Sequence, residues 1–196
     1  MRDTAAPSVS DLTDTALLAS FASGERLAAG ELTRRLGPRA FAVALRMLGD
    51  RAEAEDLAQE AMMRLWRIAP EWEAGRAQPS TWLYRVVVNL ATDRLRRRRN
   101  AVALGDAPDP VDPGASAEEG LQQRSRMDAL QAALMHLPER QRQAVVLRHI
   151  EELPNPEIAG IMDISVEAVE SLIARGKRAL ATALAGRREE LGYDEA

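Results

Sequence analysis

The chain has 196 residues, 46% of them apolar and 29% charged, with a net charge of −4, enough for one large or two small globular cores and too acidic overall for a general nucleic-acid coat protein. It contains no cysteine, which rules out a disulfide framework, a thiolate metal site and a cysteine nucleophile. The charge is uneven: residues 1–99 sum to +3, residues 100–125 to −4 and residues 126–196 to −3, so positive potential is confined to the first half.

The opening MRDTAAPSVSDLTD lacks an apolar stretch of signal-peptide length, and no run approaches a membrane span. A soluble cytoplasmic protein without membrane insertion is therefore expected. Residues 1–12 read as polar and loose. From Asp14 to Leu48, the positions Leu17, Leu18 and Phe21, then Leu27, Leu32 and Leu36, then Phe41, Leu45 and Leu48 predict two or three helices, broken near Gly24 and at Gly37-Pro38.

The segment from Asp50 to Arg67 reads as one amphipathic helix with Ala54, Leu57, Ala61, Leu65 and Ile68 facing inward. Its outer side carries Glu53, Glu55, Asp56, Gln59 and Glu60 before Arg64 and Arg67, acid first and base last, as the helix dipole favours. Such a side is an ordinary solvated face or a docking surface for a basic partner helix. Pro70 to Pro79 reads as a connection.

The most informative stretch follows, PSTWLYRVVVNLATDRLRRRR from Pro79 to Arg99. Trp82, Leu83, Val86, Val87 and Leu90 form a buried stripe at roughly 100° per residue. Arg85, Asn89, Thr92, Arg96 and Arg99 fall on another face, and five arginines lie between Arg94 and Arg99. Arginine binds phosphate through a planar, permanently charged fork. Trp82 and Tyr84 can stack on an unpaired base and Asn89 can read a base edge, as in single-strand binders. The alternative for Trp82 is a place in the core, and for the arginines a solvated helix end. The β-branched run Val86-Val87-Val88 is a mediocre helix former and makes a break near Asn89 reasonable.

Residues 100–125 are rich in Ala, Asp, Gly and Pro, with Pro108, Pro110 and Pro113 close together, and read as an extended, mobile acidic linker. It divides the chain into a helical domain over 1–99 and a second over 126–196. In the second, Leu121 to Leu137 is helical and Pro138 starts the next helix. Asn155 is placed to cap a short helix with Pro156 at its first position, running through Met162. A turn follows at Asp163-Ile164-Ser165, and Ser165 caps a longer helix that is basic toward its end. Two helices across a three-residue turn fit a helix-turn-helix, whose second helix enters a major groove. Glu167, Glu170, Ser171 and Ala174 then lie toward DNA, while Arg175, Lys177 and Arg178 reach phosphates. Glu170 can accept from a cytosine amino group, and Glu167 reads as a carboxylate complementing the helix start.

Ala54 to Arg67, Ser80 to Arg97 and Leu137 to Leu180, in this order around one linker, resemble the bacterial sigma factors of the extracytoplasmic-function group. The resemblance implies an all-α fold of two small helical domains joined by a flexible linker, the C-terminal one a helix-turn-helix. It implies a subunit that joins core RNA polymerase, directs it to promoter DNA and assists melting. Asp56, Leu57, Gln59 and Glu60 match the helix that docks on the polymerase clamp. Ser80, Thr81, Trp82, Tyr84 and Arg85 match the melting segment, Asn89 matches the residue that captures a flipped base of the minus-10 element, with Asp93 also a candidate, and Arg96 and Arg97 fall in the same stretch. The helix-turn-helix would read the minus-35 element, although Glu170 and Leu172 stand where the family is usually basic. An anti-sigma partner is implied too, with the linker letting the domains swing between a closed, sequestered pair and an extended, polymerase-bound one.

The runner-up is a helix-turn-helix regulator that binds duplex DNA without joining polymerase. No catalytic residue, metal or cofactor is expected: His136 and His149 are isolated, and no phosphate-binding glycine loop occurs.

Overall fold

The computed structural model describes residues 9–73, 75, 77–103 and 121–185. Among them every regular element is helical: α1 (Asp14–Ala22), α2 (Arg26–Leu48), α3 (Arg51–Ile68), α4 (Pro79–Ala103), α5 (Leu121–Met135), α6 (Glu139–His149), α7 (Asn155–Met162) and α8 (Val166–Ala185), with two short 3-10 turns at Val9–Asp11 and Ala69–Glu71. The first four helices form one bundle and the last four a second. Of the stretch read as a linker over 100–125, both ends are helical, since α4 continues to Ala103 and α5 begins at Leu121, and residues 104–120 lie outside the described residues.

Side chains at the helix starts satisfy backbone N–H groups that have no partner within the helix. Thr13 Oγ1 accepts from Ala16 N at 3.2 Å and Asp50 Oδ1 from Glu53 N at 2.8 Å, starting α1 and α3. The break near Gly24 is present, with that glycine at φ 100°. The break at Gly37-Pro38 is not: α2 runs through Pro38. Proline removes one helical hydrogen bond, but Leu32, Leu36, Ala40 and Val43 on either side are fully buried, and their packing holds the helix together. Likewise α4 passes through Val86-Val87-Val88 and Asn89 without interruption, because Leu83, Val87, Leu90 and Ala91 pack into the core.

In the first bundle, α2, α3 and α4 bury Leu36, Met47, Leu57, Leu65, Leu83 and Val87 against one another. α1 closes the open side, where Phe21 meets Trp66 with ring centroids 4.7 Å apart. Arg35 ties the N-terminal segment to α2, donating to Ser10 O at 2.7 Å and Leu12 O at 2.8 Å and pairing with Asp14 and Glu31. Glu31 accepts from both Arg34 and Arg35 at 2.7–2.8 Å, and those two donors hold its carboxyl at about 2.

In the second bundle, Leu134, Val146, Leu147, Ile158 and Val169 make the core. α8 crosses α6 at Gly176, which is buried. Its lack of a side chain is a packing requirement, whereas the sequence shows only the helix-propensity cost of glycine there.

The two bundles touch. Gly49, left-handed at φ 74° between α2 and α3, lies against the thioether of Met135 at the end of α5. Arg46 Nη1 donates to Gln131 Oε1 at 2.9 Å, and Gln131 Nε2 donates to Leu45 O at 3.1 Å. The buried side chains of both bundles form one continuous core.

Candidate nucleic-acid interface

The buried stripe of α4 turns its opposite side outward. Arg85, Asn89 and Arg96 are exposed there, with Trp82 and Asp93 half-buried, and the sevenfold steps from Trp82 to Asn89 to Arg96 align them nearly along the helix axis. Arg96 pairs with Asp93 at 2.8 Å. Arg97 is exposed. The basic run is therefore divided in its work. Arg94 Nη1 donates to Glu53 O at 2.7 Å and Arg98 Nε to Glu53 Oε1 at 3.1 Å, so these two fasten α4 to α3, while Arg96 and Arg97 face solvent.

At the N-terminal end of this stripe is a cavity of about 490 Å³ walled by Ile68, Glu71, Trp72, Trp82 and Arg85. Trp72 meets Trp82 edge-on, with centroids 6.1 Å apart and planes at 83°. The Trp72 indole N–H is buried and has no hydrogen-bond partner among the described residues. An apolar slot with an unpaired donor in its wall and a guanidinium at its rim suits a flat heteroaromatic ring bearing an acceptor. The sequence reading placed Trp82 and Arg85 here but missed Trp72. The available signal was a tryptophan between two glutamates in a connection that otherwise lacks large apolar residues.

Of the residues whose sequence matches a melting segment, Ser80 is half-buried. Thr81, Tyr84 and Thr92 lie on the flank of α4 that faces the second bundle. Tyr84 is 2% exposed and donates its hydroxyl to Glu151, with Arg39 of α2 beside the same oxygen. Burial first, then the Glu151 carboxylate, push this hydroxyl well above its ordinary value. Thr81 Oγ1 donates to Glu157 Oε2 at 3.1 Å, Gln143 Nε2 to Thr92 Oγ1 at 2.9 Å, and Arg99 pairs with Glu139 at 3.2 Å.

On α3, Asp56 and Gln59 are exposed, together with Glu55 and Met63. Glu60 pairs with Arg64 at 2.6 Å and sits 3.9 Å from Arg94. Leu57 is fully buried beneath this face and supports it from the core.

In the second bundle the turn between α7 and α8 holds Asp163 at φ 54°, and Ser165 Oγ accepts from Ala168 N at 3.2 Å, giving α8 the expected cap. Asn155 does not cap α7. It is the first residue inside that helix, after Pro154, and its Nδ2 donates to Glu170 Oε1 at 3.4 Å, joining the two helices of the motif. Glu167, Glu170, Ser171, Ala174, Arg175, Lys177 and Arg178 are all exposed on α8. The backbone N–H of Glu167 and the Ser165 hydroxyl lower the Glu167 carboxyl, which fits its place at the helix start. Arg148, Asn155, Glu170, Lys177 and Arg178 border a shallow hollow of about 420 Å³ with three cationic side chains. Among the described residues no cluster of His, Asp or Glu could hold a metal ion, and no helix is long and apolar enough to cross a membrane.

Comparison with known proteins fits this division. Residues 32–101 match the family model for sigma-70 region 2, and residues 127–180 that for sigma-70 region 4. The chain is 33% identical over 150 residues to the ECF RNA polymerase sigma factor SigW of Bacillus subtilis, covering 71% of this chain and 80% of that protein. It is 37% identical over 158 residues to the ECF RNA polymerase sigma factor SigE of Mycolicibacterium smegmatis, covering 79% of this chain and 61% of that one. Among solved structures, CnrH in complex with the cytosolic domain of CnrY superposes with a TM-score of 0.66 at 28% identity, over 88% of this chain and 97% of that one. With both bundles matched in order and a relative covered over most of its length, the chain belongs to the extracytoplasmic-function group of the sigma-70 family of RNA polymerase sigma factors.

Proposed function

We propose that this chain binds core RNA polymerase, directs it to a set of promoters and helps open the DNA there, acting without catalysis of its own in the cytoplasm. The observation that carries the reading is the coexistence, on one bundle, of the exposed Asp56-Gln59 face of α3 and the Trp82-Arg85-Asn89-Arg96 stripe of α4. A regulator that only binds duplex DNA needs neither, and the relatives match both bundles.

In this reading residues 1–99 form the polymerase and minus-10 unit, 100–125 the linker, and 126–196 the minus-35 unit. Asp56, Gln59 and Glu60 dock on the clamp, with Leu57 as their support. Ser80, Thr81, Trp82, Tyr84 and Arg85 take part in melting. Asn89 contacts a base extruded from the minus-10 element, Asp93 orients Arg96, and Arg96 and Arg97 bind phosphate. Extrusion costs a few kcal/mol of stacking, which the tryptophan-walled cavity at the start of the same stripe offsets by stacking of about 1–3 kcal/mol per base. On α8, Glu170, Ser171 and Ala174 face base edges, Arg175, Lys177 and Arg178 hold the backbone, and Glu167 favours the helix start. CnrH was solved in complex with the cytosolic domain of CnrY, and an anti-sigma protein is the corresponding partner here.

The test is co-migration of the full chain with core polymerase beside an Asp56→Arg, Gln59→Ala variant. Binding by the wild type and its loss in the variant, with helical content unchanged, is the expected result. Absence of binding by the wild type would move the reading to the duplex-binding regulator.

A further inference from the structure

One face of α5 carries two methionines around a glutamine. Met127, Gln131 and Met135 follow at four-residue steps and meet the end of α2 and the glycine after it. Arg46 of α2 donates through Nη1 to Gln131 Oε1 at 2.9 Å and through Nη2 to Met127 Sδ at 3.8 Å. Among the described residues no carboxylate pairs with this guanidinium, and its partial burial pushes its pKa down. A cation short of strong acceptors therefore rests on a thioether, which is a weak one.

Access separates Met127 from the other described methionines. It is 44% exposed, whereas Met47, Met62 and Met162 are buried. Met135 also has a guanidinium at its sulfur, Arg142 Nη1 at 3.3 Å, but its thioether is packed against Gly49. Met63 on α3 is 49% exposed, and among the described residues no donor is bonded to its sulfur. Met127 alone of the described methionines joins open access to a cation on sulfur.

We propose that Met127 is a methionine redox site: hydrogen peroxide oxidises its sulfur to the sulfoxide, and Arg46 captures the new oxygen, fastening α5 more firmly to α2. A sulfur lone pair attacks one peroxide oxygen, so that the S–O bond forms as the O–O bond breaks. The departing hydroxide takes the proton of the transferred oxygen and leaves as water. Sulfur gives up two electrons and the peroxide takes them. Negative charge builds on the departing oxygen and stays on the sulfoxide oxygen, and Arg46 Nη2 stands where it stabilises both. The weak thioether contact becomes a charge-assisted hydrogen bond to a strong acceptor. Methionine sulfoxide is reduced back enzymatically, so the change is reversible. In a chain without cysteine, this gives an oxidant a direct point of action on the contact between α2 and α5.

The test uses the full chain, free of polymerase and DNA. Peroxide is added, and oxidation at each methionine is followed over time by peptide mass spectrometry. Met127 should oxidise about two- to fivefold faster than Met63, the range that one charge at roughly 4 Å in water allows. Arg46→Gln should bring Met127 down to the rate of Met63. Thermal melts then test the capture. In a Met63→Leu background, oxidation should raise the melting temperature by about 2–4 °C, the shift that one hydrogen bond gives a chain of this length. Adding Met127→Leu to that background should abolish the rise, and treatment of the oxidised chain with methionine sulfoxide reductase should reverse it. Equal rates at Met127 and Met63 overturn the proposal. So does a melting temperature that falls or stays put once Met127 is oxidised, and because that comparison keeps Arg46 in place, it decides the matter even where Arg46→Gln does not fold.

Discussion

Gly176 of α8 passes so close to Val145 of α6 that a Cβ built on it would stand 2.5 Å from Val145 Cγ2 and 3.4 Å from the Gln141 carbonyl oxygen. The crossing of these helices sets the angle at which α8 leaves the bundle, and with it the side presented to a major groove.

Gly176→Ala has two opposed effects. Alanine favours the helix by about 1 kcal/mol, but the clash falls on a valine whose single χ1 well leaves it little room to move. Overpacking of this kind costs about 1–3 kcal/mol, so a net loss of stability is expected. Thermal melts of Gly176→Ala, Val145→Ala and the double variant check this, and the double variant should recover part of what the glycine change loses.

Trp72→Phe separates function from stability. The indole N–H is buried without a partner, and a buried unsatisfied donor costs about 1–3 kcal/mol. Removing it while keeping an aromatic ring should leave the melting temperature unchanged or raise it. Promoter opening, followed by permanganate reactivity of unpaired thymines, should weaken. A variant that melts earlier and opens promoters normally would assign Trp72 to packing alone.

Arg94→Ala and Arg96→Ala should diverge although they are two residues apart. Arg94 holds the Glu53 carbonyl, so its loss should lower stability by about 1 kcal/mol, the usual net value of a hydrogen bond with charge assistance adding to it. Arg96 is exposed, and its loss should weaken DNA binding across sequences and reduce the slope of log affinity against log salt by about 1. Titration of DNA binding at several salt concentrations distinguishes them.

Acid unfolding should depend on Glu31. Its carboxyl is held at about 2 in the folded chain, against an ordinary 4.5, by Arg34 and then Arg35. Because the folded value is the lower one, the stabilisation is present above pH 4.5 and is lost as pH falls from 4.5 toward 2. Glu31→Gln should therefore flatten the fall of stability over that window, measured by circular dichroism, and leave no pH-dependent term from this site.

The parts legible in the sequence were those set by local chemistry. The inward stripe of α3, the Ser165 cap and the turn at Gly24 each follow from spacing or from one side chain acting on its near neighbours. Pro38 and the Val86–Val88 run misled because local preferences there are worth little against buried leucines on both sides. The surroundings of Gly176, Trp72 and Tyr84 are not legible in the sequence for a different reason. The residues that define them, Val145, Trp82 and Glu151, are brought near by the folding of other helices, and the bond from Tyr84 to Glu151 spans 67 positions. At Leu57 the motif marks a side chain that is fully buried, because the sequence pattern alone does not separate a surface contact from the core residue beneath it.

The continuous core that runs through both bundles has a calorimetric corollary. While the bundles stay joined, heating should melt them as one cooperative unit, since neither can lose its packing without stripping cover from the other. Once a partner or a substitution parts them, each keeps only its own interior, and the single endotherm should split into two. The shape of a melting curve thus becomes a gauge of how far the two bundles of a given preparation have parted, read without DNA, polymerase or any label.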